Sequence, residues 1–301
     1  MRRVEALGVG FAVAELGPAD GPPVLLLHGF PETHRSFQHV APVLAEAGHR
    51  VFLVDLKGYG ESDKPIPDPS ALGGPSDYRL TTLANELAAL IEALGYQHMP
   101  LVGHDWGGIL VSALLLVAPE RASRVALLNA PARRFLPWTP RHIYTFNLPG
   151  VAERRFWRRP VGFVTEVLTE WGGDGPTKFT DEDIRIYTRS LQSGPSFRCA
   201  MGYYRSLHRE AATLVRALLR PPRVTPPALV LFGALDPIMP PTVARMAAKD
   251  LGAELELVED AGHFVQTDAP ERVSAALLRF LAASDSRSAR AAGPTGAFAR
   301  G

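Results

Sequence analysis

Cysteine is nearly absent from this 301-residue chain, where Cys199 stands alone. A single thiol excludes an internal disulfide and any zinc site built on cysteines, so nothing here calls for an oxidising compartment. Lysine is almost as scarce, at four residues, and most of the positive charge is arginine. The 32 basic and 31 acidic residues nearly cancel to a formal charge of +1. That balance gives no global field for nucleic acid or an anionic membrane. Long apolar runs are missing too: the longest, Ile109 to Ala118, contains Ser112 and is too short to span a bilayer. Glu5, Glu15 and Asp20 interrupt any signal-like apolar segment near the start, so the cytoplasm is the expected location. Nine histidines occur without an H-E-x-x-H pair or a cysteine cluster, and no G-x-G-x-x-G follows a strand. Neither a metal nor a dinucleotide cofactor is therefore expected.

What is present is an ordinary globular composition, 46% hydrophobic and 21% charged, with no long internal repeat. Short apolar strands are expected at Val24–Leu27, Val51–Val54, Leu101–Val102 and Val125–Leu128, and again at Ala228–Phe232 and Glu254–Val258. Helical patterns fall between them, at Ser36–Ala47, Thr82–Leu94, Trp106–Val117, Thr242–Leu251 and Glu271–Ala282. Leu83, Leu87, Leu90, Ile91 and Leu94 share one helical face, and Gly95 is placed to stop that helix. This alternation predicts an α/β protein with a mostly parallel sheet covered on both faces. The rhythm breaks at Ala130–Pro131, and a stretch rich in Arg, Trp, Phe and Tyr follows. The expected domains are a core from residues 1–131 and 224–283, an inserted helical cap over 132–223, and a disordered tail over 284–301.

The segment that carries chemistry is Gly103–His104–Asp105–Trp106–Gly107–Gly108, between a strand and a helix. It has the G-x-nucleophile-x-G form of a strained strand-to-helix turn, with Asp where esterases carry Ser. Helix N-capping by Asp105 would not require small residues on both sides. A carboxylate attacking an acyl carbon would give an anhydride, a poor route for ester or amide hydrolysis. Attack on a saturated carbon bearing a leaving group gives a stable ester that water can cleave. Epoxides and alkyl halides are suitable substrates. The second step needs a base and a partner to orient it. Asp236 and His263 follow Asp105 in the expected order, each just after a predicted strand, where open α/β folds place their sites. The His28–Gly29–Phe30–Pro31–Glu32 turn is read as supplying the Phe30 N–H, which with the Trp106 N–H would form an oxyanion hole.

With HGFPE at 28–32, the D-x-x-G-x-G-x-S loop at Asp55–Ser62, GHDWGG at 103–108, Asp236 and His263, the chain resembles the epoxide hydrolase branch of the α/β-hydrolase superfamily over about residues 5 to 283. The 55–62 glycines lack the G-K-[ST] of a phosphate loop. The resemblance implies an α/β-hydrolase fold and two cap tyrosines that donate to the epoxide oxygen. Tyr204, in Tyr204–Arg205, matches the second. At the first, counting back from Pro149 places His142, with Tyr144 as an alternative; a histidine there is expected to titrate near neutrality. The partner implied is a small hydrophobic epoxide, with no nucleic acid and no membrane span; a homodimer is left open. Two rivals remain. One is a dehalogenase with the same Asp nucleophile. Haloalkane dehalogenases usually carry Asn where Phe30 stands, and fluoroacetate dehalogenases carry Trp and Arg where this chain has Ile143 and Trp106. The other is a non-catalytic hydrolase-fold binding protein, whose mark would be a broken triad.

Overall fold

The computed structural model describes residues 1–74, 76–132, 141–173, 178–207 and 226–283. Eight strands form one sheet: β1 (Arg2–Ala6), β2 (Val9–Leu16), β3 (Pro23–Leu27), β4 (Arg50–Val54), β5 (Met99–His104), β6 (Ala122–Leu128), β7 (Ala228–Gly233) and β8 (Glu254–Val258). Their order is β1-β2-β4-β3-β5-β6-β7-β8. The pairs β1–β2 and β2–β4 are antiparallel and all others parallel. The sheet is thus mostly parallel, as the alternating pattern predicted.

The β1–β2 hairpin was not among the expected strands. It turns on Leu7 and Gly8, both with positive φ (49° and 78°). Such a turn matches the twist of paired strands, but a leucine in that conformation is uncommon, so only Gly8 hints at it.

Side chains of successive strand residues point to opposite faces, and the core divides accordingly. Leu25, Leu27, Phe52, Val54, Leu101, Val125 and Leu127 join one cluster. Val24, Leu26, Val51, Leu53, Val102, Ala126 and Leu128 join the other. The second face is covered by α1 (Ala41–Glu46), preceded by a short 3-10 turn at His34–Phe37 where one continuous helix was expected. On the first face lie α2 (Leu80–Ala93) and α3 (Trp106–Val117). Gly95, at φ +94°, ends α2 as expected, with Tyr96 N–H reaching back to Ile91 C=O. Helix α3 is buried nearly all round between the sheet and α2, which accounts for the Ile109–Ala118 run without a membrane. Among the described residues no helix is long and apolar enough to cross one.

Between β6 and β7 the described residues form α4 (Arg141–Asn147), α5 (Val151–Arg158), α6 (Pro160–Trp171), α7 (Asp181–Gln192) and α8 (Ser196–Ser206). They lie within the expected cap, whose margins at 133–140 and 208–223 fall outside the described residues, as does the 284–301 tail. Helices α9 (Pro241–Leu251) and α10 (Pro270–Ala282) complete the sheet's cover, one on each face.

Candidate active site

Parallel strands deliver their following loops to one edge of the sheet, and the predicted residues meet there. Asp105 follows β5, Asp236 follows β7 and His263 follows β8. Asp105 adopts φ 47°, ψ −116°, a conformation that costs a non-glycine residue of order 1–3 kcal/mol. Its side chain makes no capping bond to α3, so the carboxylate is not a helix cap. The flanking glycines are sterically required: a Cβ on Gly103 would lie 2.5 Å from backbone atoms of Gly107, and one on Gly107 2.2 Å from Leu27 O.

The Phe30 N–H donates to Asp105 Oδ2 at 3.0 Å, while Oδ1 faces His263 Nε2 at 3.8 Å. Trp106, the other expected oxyanion donor, is the first residue of α3, where a helix N–H has no acceptor in its own helix. His263 is fully buried; its Nδ1 is 2.8 Å from Asp236 Oδ2, and its Nε2 is buried without a hydrogen-bond partner. Asp236 is fixed by Ile238 and Met239 N–H groups on Oδ1, at 2.7 and 2.9 Å. Burial alone would lower the pKa of His263, but Asp236, then Asp105 and Glu32, raise it to about 9.

Sequence reasoning missed the supports of this triad. Asn129, at the end of β6 with φ 41°, donates to Asp236 Oδ2 at 2.7 Å and to Gly262 C=O at 3.3 Å, and accepts from Gly233 N–H. One amide thereby ties together the loops that carry Asp236 and His263. Beneath His263, His104 sits between Glu32 Oε2 and the His263 carbonyl, both at 2.9 Å, and Gln266 reaches Glu32. Both Glu32 and His104 lie inside the quoted motifs, yet their contact is set by tertiary structure. His28 accepts the Leu56 N–H at Nε2 and so carries its proton on Nδ1, facing Gly29 C=O. Burial lowers its pKa to about 4 and keeps it neutral. The 55–62 loop is built on Asp55, which accepts from the His34 and Glu61 N–H groups.

The helices between β6 and β7 close the site with aromatic rings. Tyr204 on α8 is buried edge-on to Phe30 (5.9 Å) and Trp106 (4.9 Å). Burial first, then the Asp105 charge, pushes its phenol well above the ordinary value of 10, with Trp106 opposing. Its neighbour Tyr203 instead donates to Lys57 C=O at 2.8 Å. His142 on α4 lies 4.4 Å from the Trp171 ring and 5.7 Å from the Tyr204 ring. Tyr144 is 65% exposed and faces away. The structure corrects one expectation: His142 does not titrate near neutrality, because burial, and then the charge of His263, lower it to about 3. It is a neutral ring with one N–H to give. Trp171, not anticipated, also stands edge-on to His263 at 5.6 Å and accepts the His263 N–H on its carbonyl. Among the described residues no group of His, Cys, Asp and Glu could hold a metal ion.

Residues 22–270 match the family model described as alpha/beta hydrolase fold. Epoxide hydrolase A of Mycobacterium tuberculosis is 30% identical over 93% of this chain and 96% of its own length. Bifunctional epoxide hydrolase 2 of Mus musculus is also 30% identical over 91% of this chain, which spans only 54% of that longer relative. Among solved structures, Epoxide Hydrolase A from Mycobacterium thermoresistibile superposes with a TM-score of 0.78 at 28% identity, covering 93% of this chain and 97% of that one.

Proposed function

The chain belongs to the α/β-hydrolase fold family, and on that premise we propose that it is an epoxide hydrolase acting through an ester on Asp105. The observation that carries this reading is Asp105 itself, strained, uncapped, and 3.8 Å from a buried His263 Nε2 that has no partner. Oδ1 attacks one ring carbon from the side opposite its C–O bond. That bond breaks and its electron pair goes to the ring oxygen, which takes a proton from Tyr204 while His142 donates a hydrogen bond. Oδ2 stays on the Phe30 N–H and becomes the carbonyl oxygen of the ester. As Asp105 loses its charge, His263 releases its proton and Tyr204 regains one. Neutral His263, oriented by Asp236, then takes a proton from water, and the hydroxide adds to the ester carbon. The Phe30 and Trp106 N–H groups hold the resulting oxyanion, worth about 100-fold or more per donor. Collapse breaks the ester C–O bond, the departing oxygen takes the second water proton from the Asp105 carboxyl, and the Asp105 carboxylate and the vicinal diol are released.

The substrate class is a small hydrophobic epoxide, because Phe30, Phe146, Trp171 and Tyr204 line the approach with rings. Residues 132–223 serve as the cap. The cytoplasm as the place of action and a homodimer as the assembly belong to the same proposal; cell fractionation and sedimentation velocity decide them.

The test is turnover of an epoxide panel including styrene oxide, beside matched haloalkanes and fluoroacetate, read by mass spectrometry. Diol formation that vanishes in Asp105→Ala supports the proposal. Halide release without diol would make the protein a dehalogenase, and undiminished diol formation by Asp105→Ala would remove the nucleophile's role. Silence on every substrate would favour the binding-protein reading.

A further inference from the structure

The overall charge of +1 conceals one strongly basic face. Helix α5 turns Ala152 and Phe156 inward, which sends Arg154, Trp157 and Arg158 outward. With Arg155, Arg159 and Glu166, Arg154 and Arg158 surround an open cavity of about 410 Å³ floored by Val151 and Phe163. Glu166 is the one carboxylate in this lining, and it is shared between Arg155 (2.8 Å) and Arg159 (3.0 Å). Glu153 nearby is taken by Arg205. Arg154 donates only to Gly150 C=O, and Arg158 has no hydrogen bond among the described residues. Four guanidiniums against one carboxylate leave three net positive charges. Around them Leu148, Trp157 and Val161 are each at least half exposed.

We infer that this face of the cap docks the enzyme onto an anionic lipid surface. Arginines that meet phosphate headgroups, beside a tryptophan and aliphatic side chains that enter the acyl boundary, are the two halves of interfacial binding. The neighbouring chemistry fits: Phe163 floors the basic cavity and also stands 6.5 Å, edge-on, from Phe30, whose N–H holds Asp105. Two neighbouring rings, Phe163 and Phe30, therefore link the basic cavity to the residue whose N–H holds Asp105. Nucleic acid shares the phosphate chemistry but offers nothing to Leu148 and Val161. A free phosphate ion would want a buried cradle, whereas Arg155 and Arg159 are 52% and 71% exposed.

Co-sedimentation of the full chain with phosphatidylcholine vesicles, and with vesicles in which phosphatidylglycerol replaces part of the phosphatidylcholine, tests this. At about fivefold in partition per net charge, three charges predict roughly 100-fold stronger binding to the anionic vesicles, falling as salt is added. Arg154→Gln with Arg158→Gln should lose about 25-fold of that. The charge-preserving Arg154→Lys with Arg158→Lys should keep it, and Trp157→Ala should weaken binding to both vesicle types. Circular dichroism, and any turnover of a water-soluble epoxide, should be unchanged in every variant. Equal binding to both vesicle types, or a glutamine variant that sediments like the wild type, would overturn the inference. So would capture of inorganic phosphate or a DNA duplex without vesicle binding. None of these readouts requires epoxide turnover, so the docking surface stands or falls apart from the proposed activity.

Discussion

Replacing Gly29 by alanine tests the placement of Asp105, the proposed nucleophile. Gly29 does not sit in the left-handed region, so alanine brings no backbone strain. The three atoms nearest its Cβ would all belong to Asp105: Cβ at 2.4 Å, Oδ2 at 2.5 Å and Cγ at 2.9 Å. Ordinary contact begins near 3.4 Å, so the carboxylate must retreat by about 1 Å. Asp105 cannot swing away at its far end, because its own Cβ is the nearest atom and its backbone is fixed by Asp105 N–H to Leu128 C=O and Ile109 N–H to Asp105 C=O. A displacement of that size in a reacting group costs about 100-fold in rate, or roughly 2.7 kcal/mol of barrier. Single-turnover mixing with an epoxide, quenched and read as protein mass, should show ester formation slowed by about that factor. KM should change little, and the thermal midpoint should fall while the protein stays folded, because the fixed Asp105 backbone must shift to relieve the overlap. Ester formation at the wild-type rate would refute the reasoning, and so would slowing matched by wholesale unfolding. Gly48→Ala is the contrast: it strains a positive φ with no atom within 4 Å of the new Cβ, so stability should fall and catalysis should not.

His263→Gln removes the base but leaves the nucleophile, so substrate should accumulate as a stable mass increase on the protein; substrate consumed without an adduct would exclude the covalent route. His142→Phe keeps the ring packing against Trp171 and deletes one donor, so ester formation should slow by about 100-fold while hydrolysis of a preformed ester is unaffected in a chase experiment. The folded pKa of His263 lies above its unfolded value of 6.5, so its stabilisation is complete below about pH 6.5 and is lost as pH rises through about 9. Thermal melts across that window should lose at most ~3 kcal/mol, and the loss should disappear in His263→Gln.

Much of this arrangement was legible in the chain because its causes are local. Apolar strands such as Val51–Val54 and the glycines around Asp105 answer to short-range sterics, and Asp236 and His263 follow strands whose direction the pattern predicts. The N-terminal hairpin was hidden because Leu7 occupies a turn position that favours glycine or asparagine. Asn129 gave no signal, since its role exists only once the ends of β6, β7 and β8 converge. The contact between Glu32 and Gln266 spans 234 residues, beyond any periodicity. Burial also set the state of His142, which its sequence neighbours could not reveal.

The proton held on His263 has a consequence for the order of events. In the resting site the charge of Asp105 adds to that of Asp236 in raising the hold of His263 on its proton, so in the proposed mechanism the base would be held back while there is no ester to cleave. Alkylation turns Asp105 neutral and withdraws that influence, and the ring's affinity for its proton falls. In the proposed mechanism the base would therefore be armed by the very intermediate it must destroy, and disarmed again when the carboxylate returns. On that mechanism the three residues would work as an interlock, in which each half-reaction sets the protonation state that the next one requires.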